Sequence, residues 1–354
     1  GPPMRCALVE FTVAHGETLP TFVHLLNSLG VDVDVYARSP ILESDPFGQC
    51  PGLRCTVADL DDVITRARIR LRHFGQYDFV LANSAEPKPL LARLAAIRAP
   101  LIGVVHNAVL LDEDEGYRSF FGSPSRRPLA LGRHVTSSLD DPADLRWVAP
   151  VHLLERREPT GVRWHRFCVQ GRIDLRRRDY WGLLDAVEEL KTSGADEFEV
   201  DLVGGDRALD GVRLRRSIRQ RGLDTLFTTH DGPFRYGECF RRISSAGFVL
   251  PLVDSTSPLF RPYFEDKITS SISMALGTGS IPVMHQRLAE LYDLVDLAIG
   301  YPDGGLAAAM KTALELSEEA RLRMAERIDQ KRQWLLDESL DNLAGVIGEL
   351  GLFT

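Results

Sequence analysis

Two segments of the chain carry residue types that can bind a phosphate group, and the first centres on a glycine followed by an arginine. Arg172 comes directly after Gly171 at the end of an apolar run, and Arg177 lies within a triplet of arginines a few positions further on. Arginine binds phosphate oxygens through paired N–H donors. A solvated surface cluster is the alternative, but cations are disfavoured at the start of a helix, where this triplet stands. The pattern therefore favours an anion site.

The second segment combines charged residues with hydroxyls just before a predicted helix. Glu265 and Lys267 precede Thr269 and Ser270, which stand at the first turn. Backbone N–H groups of that turn, the two hydroxyls and the lysine could together hold a diphosphate. The alternative is an ordinary Ser/Thr N-cap with acidic neighbours. The residues alone leave both interpretations open.

A candidate for the chemical step follows the apolar run Leu101–Val105. His106 and Asn107 come directly after this run, which is predicted to be a strand. Ligands of parallel α/β sheets bind at the carboxyl ends of the strands, and histidine can change its charge near neutral pH. We therefore predict that His106 is catalytic and that Asn107 lies beside it in the same crevice, with a structural core histidine as the alternative.

The loop after the first strand supplies a further set of polar residues. His15, Gly16 and Glu17 precede the first predicted helix. If the reaction needs a general base, Glu17 is the best-placed candidate. A plain turn followed by an N-cap is the alternative for this loop.

Strands and helices alternate in both halves of the chain, which predicts parallel sheets with right-handed crossovers. In the first half the predicted strands are Cys6–Phe11, Val31–Ala37, Tyr77–Ala82 and Leu101–Val105; in the second they are Arg166–Val169, Phe198–Val203, Leu226–Thr229, Gly247–Val253 and Ile281–Met284. The fold class is therefore α/β, with two Rossmann-like doubly wound domains, a central cleft and a helical tail from Ser317 to Leu350.

The loss of this periodicity, among prolines and polar residues, predicts where the domains meet. We expect an N-terminal domain over residues 4–150, a linker over 151–163 and a C-terminal domain over 164–330. Residues 331–354 are expected to form a helical segment that packs back on the N-terminal domain.

Composition excludes several classes of function. The 354 residues carry a formal net charge of −8, whereas a protein that binds nucleic acid needs a clear basic excess. The five cysteines lack the spacing of a zinc site, and no run reaches the ~18 apolar residues of a membrane span. We expect a cytoplasmic protein, with peripheral membrane contact left open.

Four segments of the C-terminal half resemble glycosyltransferase family 4, in the order of that family. They are Phe167–Arg177 with its following helix, Val200–Asp206 with Gly204 and Gly205, the loop His230–Tyr236, and Glu265–Val283. The resemblance covers about residues 165 to 290, and more loosely the N-terminal half. It implies the two-domain GT-B fold and transfer of a sugar from a nucleotide-sugar donor. The donor is then expected at the C-terminal domain, and the acceptor at the N-terminal domain, on the side of Asn107.

The resemblance also implies roles for individual residues. Arg172 matches the arginine that stabilises the leaving diphosphate, and Arg177 stands where the family has a lysine. Glu265 matches the first of two family glutamates, but the second position falls at Ser273, which carries no carboxylate. The loop with His15 and Gly16 resembles the family's loop near acceptor and phosphates, and Gly204, Gly205, Lys267, Thr269 and Ser270 complete the expected donor site.

The expected reaction is a metal-independent, retaining transfer to a hydroxyl of a glycan, lipid-linked or small-molecule acceptor, without a cofactor. Two Asp-x-Asp segments, at Asp32 and Asp112, resemble the manganese motif of other transferases but lie at a strand start and in an acidic loop. A nucleotide-sugar 2-epimerase and a non-catalytic nucleotide-sugar-binding protein remain as alternatives. An epimerase would convert the donor without an acceptor, and the absent second glutamate keeps the non-catalytic alternative open.

Overall fold

The computed structural model describes residues 2–136, 139, 145–152, 157–195, 197–205 and 208–353. The chain forms two compact units: unit 1 comprises Gly1–Leu153, Glu265–Ile268 and Gln333–Thr354, and unit 2 comprises Leu154–Phe264 and Thr269–Arg332. Two later segments thus belong to unit 1: Gln333–Thr354, which lies in the part expected to pack back on the N-terminal domain, and Glu265–Ile268, which the sequence analysis placed in the C-terminal domain. Of the predicted linker, residues 153–156 lie outside the described residues.

Unit 1 is built on a parallel sheet, sheet A, with the strand order β3-β2-β1-β4-β5-β6-β7. The strands are β1 (Arg5–Glu10), β2 (Asp32–Ala37), β3 (Cys55–Asp59), β4 (Phe79–Ala82), β5 (Leu101–Val105), β6 (Arg126–Leu131) and β7 (Trp147–Val148). Neighbouring strands run in the same direction throughout. The order of connection reverses at β1, so the crevice for a ligand is expected at the carboxyl ends of β1 and β4.

The helices of unit 1 begin and end at residues suited to those positions. They are α1 (Leu19–Ser28), α2 (Ser39–Glu43), α3 (Val63–Arg72), α4 (Leu90–Ala95), α5 (Leu110–Glu113), α6 (Glu115–Phe121) and α7 (Arg133–Thr136). Asp62 caps α3 by accepting a hydrogen bond from the Thr65 N–H, and Gly30 follows α1 with a φ of +74°. These local signals place the loops that carry the polar residues.

Apolar clusters cover both faces of sheet A. On one face Leu8, Phe22 and Leu26 pack with Leu343, Val346 and Ile347, and on the other Val9, Val80 and Tyr117 share a core. The C-terminal residues join the first cluster because the apolar positions of the last helix repeat at helical spacing. The N-terminal sheet is thus buried on both sides, as a parallel sheet requires.

Unit 2 repeats the same plan in its own parallel sheet, sheet B, with the order β10-β9-β8-β11-β12-β13. Its strands are β8 (Arg163–Gln170), β9 (Glu199–Val203), β10 (Phe227–Thr228), β11 (Ala246–Val249), β12 (Ile281–His285) and β13 (Ile299–Tyr301). The order of connection reverses here at β8. A ligand is therefore expected at the carboxyl ends of β8 and β11.

The helices that follow Thr136 are α8 (Tyr180–Thr192), α9 (Leu209–Gln220), α10 (Tyr236–Ser245), α11 (Ser270–Thr278), α12 (Gln286–Leu291), α13 (Leu306–Leu314) and α14 (Glu318–Glu349). Thr269 caps α11, and Gly279 ends it in the left-handed conformation with a φ of +79°. Among the described residues, none of the helices combines the length and apolar character that a membrane crossing requires. The predicted class, two doubly wound α/β units with a C-terminal helix, is confirmed.

Candidate active site

Unit 1 has a buried carboxylate at its expected ligand crevice, and the sequence analysis did not single it out. Glu10, the last residue of β1, is fully buried. Its Oε1 accepts hydrogen bonds from Ser84 Oγ at 2.6 Å and Asn83 Nδ2 at 3.0 Å, and its Oε2 accepts one from the Thr12 N–H at 3.0 Å. These three donors offset the cost of burying the carboxylate and join the ends of β1 and β4.

His106 lies beside this network, at the end of β5. Its Nε2 is 3.0 Å from the Asn83 carbonyl oxygen, and its ring is centred 4.1 Å from the ring of His15. A carbonyl can only accept, so Nε2 carries the proton and Nδ1 of the neutral ring is an acceptor. Burial, with a smaller effect of His15, lowers the pKa of His106 to about 3. His106 is therefore a neutral hydrogen-bonding group rather than a strong base.

Glu86 is a second carboxyl group that the sequence analysis missed. Its Oε2 accepts the backbone N–H of His106 and its Oε1 that of Asn107, both at 3.1 Å. Burial raises the pKa of Glu86 to about 7, although the two N–H groups and Lys267 act in the opposite direction. A carboxyl group that titrates near neutral pH is suited to general acid–base chemistry.

The segment Glu265–Ile268 belongs to this site in the structure, and not to the unit that holds α11. The Lys267 carbonyl oxygen lies 2.9 Å from His134 Nε2, beyond the end of β6, and Ile268 packs against the unit 1 core. Lys267 is close enough to lower the pKa of Glu86. Glu265 is exposed. The predicted donor set of Glu265, Lys267, Thr269 and Ser270 is thus divided between the two units.

The loop after β1 forms a short helical turn at Gly16–Thr18. His15, which precedes it, has a φ of +64°, and its ring contacts that of His106 at an interplanar angle of 44°. Glu17 is half-buried, and its carbonyl oxygen accepts a hydrogen bond from His152 Nδ1 at 2.8 Å. The carboxylates of Glu10 and Glu86 contact residues at the strand ends. Glu86 is therefore a candidate base in addition to Glu17.

In unit 2 the residues around Gly171 form a second polar site. Gly171 follows β8 with a φ of +98°, a conformation that favours glycine. Gln170 Oε1 accepts hydrogen bonds from Ser270 Oγ at 3.1 Å and Ser271 Oγ at 3.4 Å, which ties the end of β8 to the first turn of α11. Backbone N–H groups at the first turn of a helix favour an anion, and this turn borders the same crevice.

The arginines after β8 have different environments. Arg177 pairs with Asp174 at 3.5 Å, and 71% of its side chain is exposed. Arg178 is buried, and its Nη2 lies 3.3 Å from Gln170 Oε1 and 3.4 Å from Ser271 Oγ. Arg178 Nε has no hydrogen-bond partner among the described residues. The cation at the start of α11 is thus Arg178, next to the predicted Arg177, while Arg172 is exposed beside Gly171.

Gly204 and Gly205 lie where the backbone packs closely against neighbouring loops. A Cβ atom on Gly204 would lie 2.1 Å from the Gly171 carbonyl oxygen, and one on Gly205 would lie 3.2 Å from the Pro233 nitrogen. The loops after β8 and β9 therefore approach each other in a way that only glycine permits at position 204. Asp206, which completes the predicted segment, lies outside the described residues.

Thr269 and Ser270 have the roles expected of a helix start. Thr269 Oγ1 accepts the Ser271 N–H at 3.4 Å, and its own N–H donates to the Tyr292 hydroxyl at 2.9 Å. Ser270 is half-buried and donates to Gln170 as described. The N-cap interpretation is therefore seen directly, and it leaves N–H groups of the same turn available to a ligand.

Both Asp-x-Asp segments have structural partners. Asp34 accepts hydrogen bonds from Arg5 and Tyr77, and Asp114 caps α6 and pairs with Lys88 at 2.9 Å. These contacts account for their charge without a ligand.

Among the described residues, one group could offer three metal ligands: Asp254, His285 and Asp303, with ligand atoms within 4.8 Å of one another. His285 Nε2 lies 2.7 Å from Asp303 Oδ1, and its Nδ1 accepts the Arg287 N–H at 3.2 Å. Because Nδ1 accepts, Nε2 carries the proton and donates it to Asp303. Both ring nitrogens are occupied in this arrangement, so the group does not fit a metal ion without rearrangement.

No family model matches the sequence, and no curated protein is significantly similar to it. Solved structures do match over the whole chain. HepE of Anabaena in complex with UDP-glucose is 13% identical, with 98% of this chain and 100% of that one covered and a TM-score of 0.66. A glycosyltransferase from Rickettsia africae is 11% identical over 100% of both chains, with a TM-score of 0.64.

The chain has the GT-B fold. A putative UDP-N-acetylglucosamine 2-epimerase from Listeria monocytogenes also matches, at 13% identity over 92% of this chain and 91% of that one, but with a lower TM-score of 0.53. At these identities the matches establish the fold alone. Function has to be argued from the residues at the two crevices.

Proposed function

We propose that the protein is a glycosyltransferase that moves a sugar from a nucleotide-sugar donor to a hydroxyl group of an acceptor. The observation that carries this proposal is the polar crevice of unit 2, where Arg178, Gln170 and the first turn of α11 meet beside Gly171. It lies at the switch point of a doubly wound sheet, and the GT-B fold includes HepE, whose structure holds UDP-glucose.

The donor diphosphate would lie at the start of α11 in unit 2. Helix N–H groups, the Arg178 guanidinium and the exposed Arg172 would stabilise the negative charge that builds on the leaving group. Ser270 would add a hydroxyl donor, and the close approach at Gly204 and Gly205 would shape the crevice. The proposal keeps the roles that the family 4 resemblance implies. For the second cation of the donor site, Arg178 joins Arg177 as a candidate.

The acceptor would bind at unit 1, where the groups that handle protons lie. Glu86 has the pKa suited to take or hold a proton near pH 7, and its two N–H partners fix its position. Neutral His106, oriented by the Asn83 carbonyl and His15, would accept a hydrogen bond from a sugar hydroxyl through Nδ1. Asn107, Gly16, Glu17 and Lys267 complete this side in the proposal.

Retention of configuration and independence of metal are further parts of the proposal. Basic groups supply the countercharge that a manganese ion provides elsewhere, and the possible metal ligands are engaged with each other. If the reaction inverts instead, Glu86 would serve as the general base in place of Glu17. The anomeric configuration of the product, read by NMR, separates the two courses.

Peripheral contact with a membrane surface in the cytoplasm is the final part of the proposal, and α3 supports it. This helix has no buried residue, exposes Val63, Ile64 and Leu71, and carries arginine at 66, 68, 70 and 72. Exposed apolar side chains interleaved with arginines suit a surface of anionic lipids. The chain as a whole carries a net charge of −8, so this locally basic helix is distinctive.

The experiment is to incubate the protein with single nucleotide sugars, UDP-glucose first, with and without a mixture of hydroxyl acceptors. Mass spectrometry would identify transfer products, NMR would identify an epimer of the donor, which has the same mass, and EDTA would be present in a parallel series. The proposal expects transfer that needs an acceptor and survives EDTA. Conversion of the donor to its epimer without any acceptor would support the epimerase instead, and binding without turnover would support the non-catalytic alternative.

A further inference from the structure

A cavity of about 50 Å³ lies in unit 2 at the edge of sheet B opposite to the proposed donor site. Trp164, near the start of β8, and Gly279, at the end of α11, form part of its wall, and α14 closes it. A cavity needs roughly 10 to 15 Å³ to hold one water molecule, so this one has room for a small polyatomic ion. None of its lining residues belongs to the sites described above.

Arg157 borders this cavity, and one of its two terminal nitrogens lacks a hydrogen-bond acceptor in the part of the chain that the structure describes. Its Nη1 donates to the carbonyl oxygens of Ala246 at 2.6 Å and Ser244 at 3.2 Å, and to Ser280 Oγ at 3.1 Å. Its Nη2 is buried and has no hydrogen-bond partner among the described residues. Burial lowers the pKa of Arg157 to about 10, so it is still charged at neutral pH. A buried charged donor without a partner is costly unless something else accepts from it.

Arg321, from α14, is in a similar situation and also lies against Trp164. The guanidinium carbon atoms of Arg157 and Arg321 lie 5.4 Å and 5.0 Å from the centre of the Trp164 ring. Cation–π contact stabilises both charges, but it leaves their N–H donors unused. Arg321 Nε is also buried without a hydrogen-bond partner among the described residues. Two unused donors therefore border one cavity.

The charged residues that line the cavity also favour an anion. Three arginines border the cavity (Arg157, Arg321 and Arg332) against one acid, Asp329, which gives a net charge of three minus one, or +2. Arg332 reaches the Gly277 carbonyl oxygen at 3.4 Å. We propose that this cavity binds a small oxyanion, whose oxygens accept hydrogen bonds from Arg157 Nη2 and Arg321 Nε. A phosphate-like dianion matches both the charge and the room.

The test uses inorganic phosphate as the probe and calorimetry of the full chain, at constant ionic strength with chloride as the balancing ion. We expect saturable binding in the wild type. Arg321→Gln should weaken it at least about tenfold, as expected for the loss of a charged hydrogen bond. Arg323→Gln is the matched control, because Arg323 lies on the same helix but is exposed and pairs with Glu319.

A second variant separates this cavity from the donor crevice. Arg172→Ala, which removes a cation from the proposed donor site, should leave phosphate affinity within about twofold of the wild type. Melting temperatures of all variants, measured in chloride, would show that each is folded. The proposal is overturned if wild-type protein gives no saturable phosphate binding, if Arg321→Gln binds as tightly as Arg323→Gln, or if Arg172→Ala abolishes the signal.

Discussion

The two units share one strand order but hold different chemistry at the same topological position. At the reversal point of sheet A the structure places carboxyl groups and the neutral His106, with Glu10 and Glu86 bonded to backbone and side-chain donors. At the reversal point of sheet B it places Arg178 and the first turn of α11. The same backbone plan can therefore position protons in one unit and bind negative charge in the other, because the residues after each strand differ.

The largest effect is expected at Glu86, the group that sets unit 1 apart. Glu86→Gln should lower the rate of transfer by about 10² or more, as expected for the loss of a general acid–base group, while UDP affinity stays within about twofold. The measurements are turnover and calorimetry on one preparation. The exposed Glu43→Gln is the matched control. Full activity of the Glu86 variant would show that Glu86 is not the general acid–base group.

The same variant has a signature in stability. Because the pKa of Glu86 is raised in the folded protein, to about 7 from 4.5, its contribution is fully present below pH 4.5 and is lost as the pH rises through 7. The wild type should lose about 2 kcal/mol of unfolding free energy between pH 5 and pH 8 from this group, after allowance for its partial exposure. Denaturant unfolding should show that Glu86→Gln lacks this loss. An unchanged pH dependence would contradict the raised pKa.

The next largest effect concerns the cation in unit 2. Arg178→Met should weaken binding of UDP by about 1.5 to 3 kcal/mol, the range for hydrogen bonds to charged groups. Arg177→Met should cost less than about 1 kcal/mol, because Arg177 is exposed and its charge is screened by solvent. Calorimetry gives both affinities, and the melting temperature controls for folding. If the two variants ranked in the opposite order, the anion site would lie at Arg177.

The close approach of two loops in unit 2 gives a prediction about stability. In Gly204→Ala the new Cβ would lie 2.1 Å from a backbone carbonyl oxygen, so the loops after β8 and β9 would have to separate. We expect a loss of about 1 to 3 kcal/mol in unfolding free energy, measured by denaturant titration. Gly194→Ala is a useful contrast, since its strain comes from a φ of +91° and nothing lies near its Cβ. Equal UDP affinity and stability in Gly204→Ala and wild type would contradict the packing described.

The smallest effect is expected on the exposed cations of α3 in unit 1. Replacing Arg68 and Arg70 by Gln should reduce binding to vesicles that contain phosphatidylserine by roughly 1 kcal/mol for each charge. Transfer to a water-soluble acceptor should not change. Co-sedimentation with vesicles of mixed phosphatidylcholine and phosphatidylserine measures the effect, and Arg216→Gln on α9 is the control. Equal sedimentation of all variants, or none by the wild type, would exclude the membrane contact.

Much of the fold could be predicted from local patterns, and most of the site could not. The bounds of β5 agree with the predicted Leu101–Val105, and those of α14 agree to within one residue with the predicted tail Ser317–Leu350, because apolar runs and helical periodicity are local signals. The strand β6 was not predicted, since its sequence RRPLAL begins with two charges and a proline. The two-residue β7 was also not predicted, since it is too short to show a period.

The site depends on contacts between residues far apart in the chain. Glu10 and Ser84 are 74 positions apart, and their hydrogen bond exists only because β1 and β4 are neighbours in sheet A. The sequence signal for such a site is a polar residue at the end of a predicted strand. It identifies His106, but the sequence analysis did not apply it to Glu10 or Glu86. The buried member of the arginine triplet could not be told from its neighbours without the position of α11.

The central claim, that unit 2 binds a nucleotide sugar while unit 1 carries out the chemistry, is tested most directly by calorimetry of UDP-glucose and UDP in the presence of EDTA. The wild type, Arg178→Met and Glu86→Gln would be compared on the same day and at the same pH. The account predicts saturable binding to the wild type, weaker binding by about tenfold or more to Arg178→Met, and unchanged binding to Glu86→Gln. Loss of binding in Glu86→Gln with full binding in Arg178→Met would contradict it, as would a panel of nucleotide sugars of which none binds.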